Sequence, residues 1–465
     1  MRKNACLITI LMTAMSYIAS AEVPVNFPDP QLKAAVEEHL GVTDPTPMNM
    51  LALTELNAEE KEIVDLTGLE YATYLRNLDL RRNRISNISA LSGLRYLQTL
   101  QLEDNQIADI SALSRLTNLR LLWLNLNQIS DIAAVSGLTN LTELRLRGNQ
   151  ISDISAVSAL TNLRVLELYE NQITDISTVS GLTNLTLLYL NNNQISDISG
   201  LSGLTNLTQL YLNNNQITDT SGLSGLTNLT RLDIYANQIT DISTVSGLMN
   251  LTWLDLRQNQ ISDISAVSGL ANLTQLLLTN NQISDISGLS GLTNLTLLYL
   301  NNNQISDISA VSELMNLTYL QLEANRIRDI SGLSALMNIT QLYLGNNQIT
   351  DISGLSGLTN LTVLNLSENL ISEISELSAL TNLRELRLNT NYISDISALS
   401  DLSGVQQLYL QNNYISDISS LTKMENLIWI ELQTNFLDRA AYDVHLPLIK
   451  GNNPEIVINY DPNLL

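Results

Sequence analysis

Residues 185–206 read LTLLYLNNNQISDISGLSGLTN, and this 22-residue unit decides the fold. Counted in steps of 22 from Leu75, the ninth place is Asn83, Asn105, Asn127 and so on through Asn413 and Asn435, 17 asparagines with no insertion or deletion. The unit condenses to LxxLxLxxNxIxDIxxLxxLTN. A divergent copy comes first: Leu53, Leu56, Ala58, Ile63, Asp65, Leu66 and Leu69 keep the spacing, with Lys61 in the asparagine slot. Within each unit the LxL segment alternates with period two, as a strand does. One unit offers about seven apolar side chains, too few to offset the entropy of ordering its backbone at ~1–2 kcal/mol per residue. Stacked units bury a continuous core, and stability becomes a sum over their interfaces.

The pattern is the leucine-rich-repeat signature. The expected fold is α/β: a leucine-rich-repeat solenoid, a right-handed βα superhelix of horseshoe form. Its parallel β-sheet is concave, short helical turns lie on the convex side, and helical caps close both ends. The ninth-place Asn turns inward, where its amide donates to and accepts from turn backbone that the ladder leaves unpaired. All 17 are therefore scaffold. The Asn-Leu-Thr triplets at Asn140, Asn184 and Asn206 match a glycosylation sequon but recur because the repeat recurs.

Place thirteen is acidic from Asp109 to Asp417, with Glu373 in one copy and Asn87 in the first. This column supplies fifteen of the 46 acidic residues, against 23 basic ones and a net charge of −23. Each Asp precedes a tight turn whose free N–H groups it can cap. A calcium ladder needs six to eight oxygens per ion, and one Asp per ~5 Å strand step is thin for that. So few basic residues disfavour nucleic acid and anionic membranes as partners. One Cys and two His leave little for zinc, disulfides or thiol catalysis. No cofactor, no metal and no catalytic set is expected.

The ends differ from the body. Arg2 and Lys3, the apolar run Cys6–Met15 and the small residues Ala19-Ser20-Ala21 form a signal peptide over 1–21, cleaved after Ala21. No later stretch is apolar enough to span a membrane. Residues 22–52 make an N-terminal helical cap, with Asp29 as N-cap, Pro30 at the first turn and Gly41 as the stop. The solenoid covers 53–437 and a C-terminal cap 438–465. That cap has a helix over Ala440–Ile449, a turn at Gly451–Pro454 and a last strand at Ile456–Ile458. His39 and His445 fall in opposite caps and cannot share a site.

Function is expected where the sequence varies against the fixed frame. Places 3, 5 and 7 alternate outward from the concave sheet. They carry Trp123, Tyr169, Tyr189, Tyr211, Tyr235, Trp253, Tyr299, Tyr319 and Tyr343, then Tyr409 and Trp429. Exposed Trp and Tyr are common contact anchors, and cross-strand stacking is their alternative role. Arg145, Arg147, Arg231 and Arg257 intersperse with Glu143, Asp233 and Asp255, a mixture that suits a protein partner. Aromatics beside Asn would also suit a glycan.

Place ten is Gln in 11 repeats but becomes Leu370, Tyr392, Tyr414 and Phe436 in the last four. This apolar stripe reads as a second interaction edge: either the cap, through Tyr442 or Leu446, folds over its last one or two residues or a second molecule covers it, and Leu370 and Tyr392 are left for a partner or a self-contact. Thr220 alone replaces the Ile of the Asp-Ile pair, so Thr220→Ile is expected to raise stability by about 1 kcal/mol.

The repeats over 53–437 resemble the 22-residue repeats of the internalin family of bacterial surface and secreted proteins, which grip partner proteins on a concave sheet. The same repeat class resembles the intracellular regulatory subunit of protein phosphatase 1, which the signal peptide argues against. No immunoglobulin-like module, wall anchor or membrane-association module follows Phe436, so host invasion is not implied. The resemblance implies a non-enzymatic binding scaffold. It is exported, and secreted, periplasmic or at the cell surface of a bacterium. The alternative is a glycan-binding or structural protein of the cell envelope.

Overall fold

A computed structural model describes residues 23–462. The chain forms two compact units, 1–193 and 194–465. Each is a leucine-rich-repeat solenoid.

The first unit opens with helix α1 (Pro30–Leu40) and the short helix α2 (Pro47–Met50). Seven three-residue strands follow, from β1 (Glu55–Asn57) to β7 (Leu187–Tyr189), paired in chain order and all parallel. The register advances by one repeat, so that Leu78 faces Leu100 and Leu100 faces Leu122. The second unit repeats the plan from β8 (Gln209–Tyr211) to β19 (Val457–Asn459). Across the core from the strands, each repeat makes a 3-10 turn such as Ser111–Leu113.

One repeat shows how the core is made. Leu251, Leu254, Leu256, Ile261, Ile264, Val267 and Leu270 are all buried, and the same seven places are buried in their neighbours. Place nine then joins the layers. Asn303 Nδ2 donates to the carbonyls of Leu278 and Leu300, both at 3.0 Å, and Oδ1 accepts from Ile283 N–H at 3.0 Å. Two of these three partners lie in the preceding repeat, so each Asn stitches its repeat to the one before. Place thirteen caps the turns as expected: Asp109 Oδ1 accepts from Ser111 N–H at 2.8 Å, and Asp263 accepts likewise from Ser265. Those backbone bonds hold the carboxyls of both aspartates below the usual range. Glu373, one methylene longer, makes no such bond.

Two features of the frame escape the sequence pattern. Place eight is left-handed in every regular repeat, from Arg82 (φ 55°) to Thr434 (φ 55°), and only Gly148 is a glycine there. The conformation costs a side-chain-bearing residue ~1–2 kcal/mol, which the bonds of the next Asn must outweigh. A second asparagine ladder runs along place 22. Asn140 Nδ2 donates to Thr117 O at 2.8 Å and Asn184 Nδ2 to Thr161 O at 2.9 Å. These are the sequon asparagines, and their amides serve the repeat.

Helices lie at both ends of the repeats. Asp29 Oδ1 accepts from the N–H groups of Gln31 (2.9 Å) and Leu32 (3.1 Å), and α1 stops at left-handed Gly41. At the far end a π-turn, Ala441–His445, leads into α3 (Leu446–Asn452). Pro447 has no N–H to donate to the preceding turn, which accounts for the widened turn ahead of it. Gly451 and Asn452 thus end the helix instead of forming a turn, and the last strand starts at Val457, one residue late. Asn453 repeats the ladder chemistry at this end, accepting from Leu427 N–H (2.9 Å) and donating to Met424 O (2.8 Å). His39 and His445 lie in the two caps. The signal-peptide reading of 1–21 lies outside the described residues.

Thr220 is buried as expected, but its hydroxyl is bonded. It donates to Asp241 O at 3.1 Å and accepts from Thr244 Oγ1 at 2.7 Å. Beside it, a Cβ on Gly222 would collide with Ile198 O, so this turn lies against its neighbour with no spare room. The expected gain from Thr220→Ile therefore reverses. Two lost hydrogen bonds and an overfilled site outweigh the added methyl burial, and the variant should lose about 1 kcal/mol. A higher melting temperature for the variant would restore the simple burial argument.

Candidate functional site

Strand alternation sends place four into the core and places three and five to the outer face of the sheet. Every aromatic singled out on the outer face is half-buried. The frame does not dictate these residues. Trp123, Tyr211, Trp253, Tyr235 and Tyr409 lie against arginines that pair with an acid two residues away on the same strand.

In the second unit, β9 (Arg231–Asp233) and β10 (Trp253–Asp255) bring such a set together. Register places Trp253 opposite Arg231 and Tyr211 opposite Asp233. Asp233, 3% exposed, accepts from Arg231 Nε and from Trp253 Nε1, both at 2.7 Å. The guanidinium then lies between two rings, 4.0 Å from the centre of Trp253 and 5.3 Å from that of Tyr211. Burial pushes the Asp233 carboxyl above its ordinary range, although the arginine and the indole pull it down. Arg257 forks onto Asp255, 1% exposed, and covers Tyr235 at 5.1 Å. In the same unit Tyr299, Tyr319 and Tyr343 form a tilted ladder at 5.2 and 5.4 Å. Cross-strand stacking is thus real here.

The first unit holds a similar set. Arg145 lies 4.4 Å over Trp123 and pairs with Glu143. Burial raises the Glu167 carboxyl, with Arg145 pulling against it. Arg147 lies 5.0 Å over Tyr169, whose ring meets Tyr189 at 5.7 Å. Near the end of the second unit, Arg387 covers Tyr409 at 4.9 Å and Trp429 Nε1 donates to Glu431 at 2.8 Å.

The arrangement offers rigid aromatic edges and held guanidinium groups. Arg145, Arg231 and Arg387 meet their carboxylates through Nε, and a guanidinium carries further donors on its terminal nitrogens. Sequence reasoning named Glu143, Asp233 and Asp255 as part of a charged surface and missed that Asp233 and Asp255 are buried clamps. Their signal was present in the alternate-residue pairs Glu143/Arg145, Arg231/Asp233, Asp255/Arg257 and Glu385/Arg387.

The place-ten stripe differs from expectation. The cap covers none of it. Leu370, Tyr392, Tyr414 and Phe436 are all exposed, and Phe436, beside the cap, is the most open at 65%. Tyr442 turns instead to Tyr460, and Leu446 is buried under the last repeat. The three rings stack face to face, Tyr392 on Tyr414 at 6.0 Å and Tyr414 on Phe436 at 5.7 Å.

A family model described as Leucine Rich repeats (2 copies) matches at 73–115, 117–159, 161–203, 205–247, 271–313, 293–335, 315–357, 338–379 and 359–403. A second, described as Leucine rich repeat, matches 227–283. Among solved structures, an internalin (inlF) from Listeria monocytogenes is 34% identical, over 79% of this chain and 98% of that one, with TM-score 0.53. The functional domain of InlJ from the same organism, which includes a cysteine ladder, is 24% identical over 88% and 80%, TM-score 0.60. A plant peptide hormone receptor, RGFR1, solved in complex with RGF2, is 25% identical over 85% and 69%, TM-score 0.73. No curated protein sequence matches.

Proposed function

Since this chain belongs to the leucine-rich-repeat family and is internalin-like, we propose that it is an exported, non-enzymatic scaffold that recognises a protein partner through the outer face of its sheets. Leucine-rich-repeat solenoids are commonly protein-binding scaffolds, and no helix among the described residues is long and apolar enough to cross a membrane. The observation that carries the reading is the Tyr211–Arg231–Trp253 stack clamped by buried Asp233. Aromatic and arginine side chains dominate contact energetics, and these are held in one geometry before any partner arrives. The other outer-face aromatics, from Trp123 to Tyr343, extend the same surface within each unit. The exposed stripe Leu370–Phe436 serves as a second contact edge.

Tyr211→Ala with Trp253→Ala should weaken partner binding by roughly a hundredfold, about 3 kcal/mol for two anchors. Circular dichroism and cooperative unfolding should stay close to the parent's. Leu370→Gln with Tyr392→Gln should lower affinity less, with stability unchanged. Unaltered binding in the first double variant would remove the outer face from function, and unaltered binding in the second would leave the stripe without a role. A glycan array run beside the partner assay tests the envelope-glycan alternative.

A further inference from the structure

In the first unit, one margin of the sheet carries a charge pattern that neither the frame nor the outer-face stacks explain. Places 22 and 2 flank the start of each strand. Down the second unit they read mostly Asn and Thr, as in Asn250 and Thr252 or Asn272 and Thr274. In the first unit they read Tyr74 and Arg76, Tyr96 and Gln98, Asn118 and Arg120, Asn140 and Thr142, Asn162 and Arg164. Arg95 and Arg115 lie in the segments leading into this margin. All five arginines are exposed, and none joins an ion pair among the described residues. The outer-face arginines behave differently, each being matched by an acid. Of the acids that open strands beside this margin, Glu143 is turned onto Arg145 at 2.5 Å, and Glu55, on the strand next to Arg76, joins no ion pair with the row among the described residues.

This is an unneutralised basic row in a protein of net charge −23. It also has form. Gln98, Asn118, Arg120, Asn140, Thr142, Asn162, Arg164 and Asn184 line an open groove of about 390 Å³. The amides in it are fixed. Asn118 Nδ2 donates to Arg95 O at 2.7 Å and Asn162 Nδ2 to Thr139 O at 2.9 Å, which leaves each Oδ1 as an oriented acceptor. Arg76, Arg120 and Arg164 recur every second repeat, roughly 10 Å apart at two strand spacings of about 4.8 Å.

We infer that this margin binds a linear acidic polysaccharide, with arginines on its carboxylate or sulfate groups and the intervening amides on its hydroxyls. A step of roughly 10 Å is about the length of one disaccharide, so each arginine can meet an acidic group in successive disaccharides of a polyuronate or sulfated glycan. Fixed acceptors between the charges suit a ligand with several hydroxyl donors on each sugar, whereas an acidic peptide offers one backbone N–H per residue. The exposed pair Tyr74 and Tyr96, 5.6 Å apart, continues the row with ring surface.

The test measures binding of the full chain to heparin, to polygalacturonate, to neutral dextran and to polyglutamate, each over a range of salt. Saturable binding to heparin or polygalacturonate, weakening as salt rises, is expected, with dextran and polyglutamate weak. The preferred acid distinguishes sulfate from carboxylate. Arg76→Gln, Arg120→Gln and Arg164→Gln together should lower that affinity roughly tenfold or more and flatten the salt dependence. Arg384→Gln should change neither, since it replaces a place-two arginine of the second unit that already donates to Gly404 O. Equal binding by the triple variant and the parent overturns the proposal. So does polyglutamate binding as well as the glycans, or the absence of binding to both acidic glycans. The partner assay on Tyr211 and Trp253 is read separately, so failure of one leaves the other standing.

Discussion

Asn303→Asp should cost the second unit more than Asn303→Ala, and both should cost more than any outer-face substitution. With alanine, Ile283 N–H loses its acceptor, an orphaned buried donor worth ~1–3 kcal/mol. The carbonyls of Leu278 and Leu300 lose one of their two donors and keep Asn281 and Asn325 respectively. A loss of about 3 kcal/mol is therefore expected. Aspartate keeps the acceptor for Ile283 but sets its second oxygen against those carbonyls. Its carboxyl must stay buried and charged, or take a proton. The folded-state pKa is thus raised, so stability returns as pH falls through it and is lowest at neutral pH. Urea unfolding at pH 5 and pH 8 reads both effects. A loss under about 0.5 kcal/mol in the alanine variant would show that the ladder is ornament to the core.

The second large effect belongs to Asp29. Its Oδ2 accepts from Val64 N–H (2.7 Å) and Asp65 N–H (3.2 Å), so one carboxylate caps α1 and ties it to the first repeat. Burial pushes this carboxyl up, but the four backbone donors outweigh it and hold the pKa below its ordinary value. The sign follows. Asp29 stabilises the first unit at any pH above the unfolded carboxyl value of about 3.9, and that contribution disappears as pH falls through the lower folded value. Asp29→Ala should cost about 3 kcal/mol at pH 7. Asp29→Asn should also destabilise, since an amide N–H would meet the donors of Val64 and Asp65, and it should remove this group's share of the acid sensitivity. Melting curves from pH 3 to pH 7 decide it. Parallel parent and Asn curves would mean that the cap does not use the charge.

Much of this was legible because repetition multiplies a weak signal. A single LxL or Asn says little; the same residues at 22-residue intervals fix strand, core face and ladder together. What stayed hidden depends on geometry that composition does not encode. The left-handed place eight is filled by Asn, Glu, Ala, Thr and others, so no residue type marks it, although Asn192, Asn214, Asn280 and Asn302 were a hint. Thr220 read as a lost methyl because its partners, Asp241 O and Thr244, lie a full repeat away. Phe436 stays open because the π-turn ahead of Pro447 carries the cap off to bury Leu446 instead. At the outer face the aromatic anchors were visible from alternation. The acids that position their arginines were visible as residues but not as buried clamps, because burial at Asp233 and Asp255 arises only once neighbouring strands close over them.

The partner is expected on the outer face of the sheet and not on the turns. Photo-cross-linking tests it most directly, with a benzophenone side chain placed at Gln275 or Gln321 on the strands and, separately, at Ser309 on a 3-10 turn. One and the same cross-linked partner is expected from both strand positions, none from Ser309, and the product should be lost when Tyr211 and Trp253 are replaced by alanine. A product from Ser309, or strand products that persist in that variant, would contradict it.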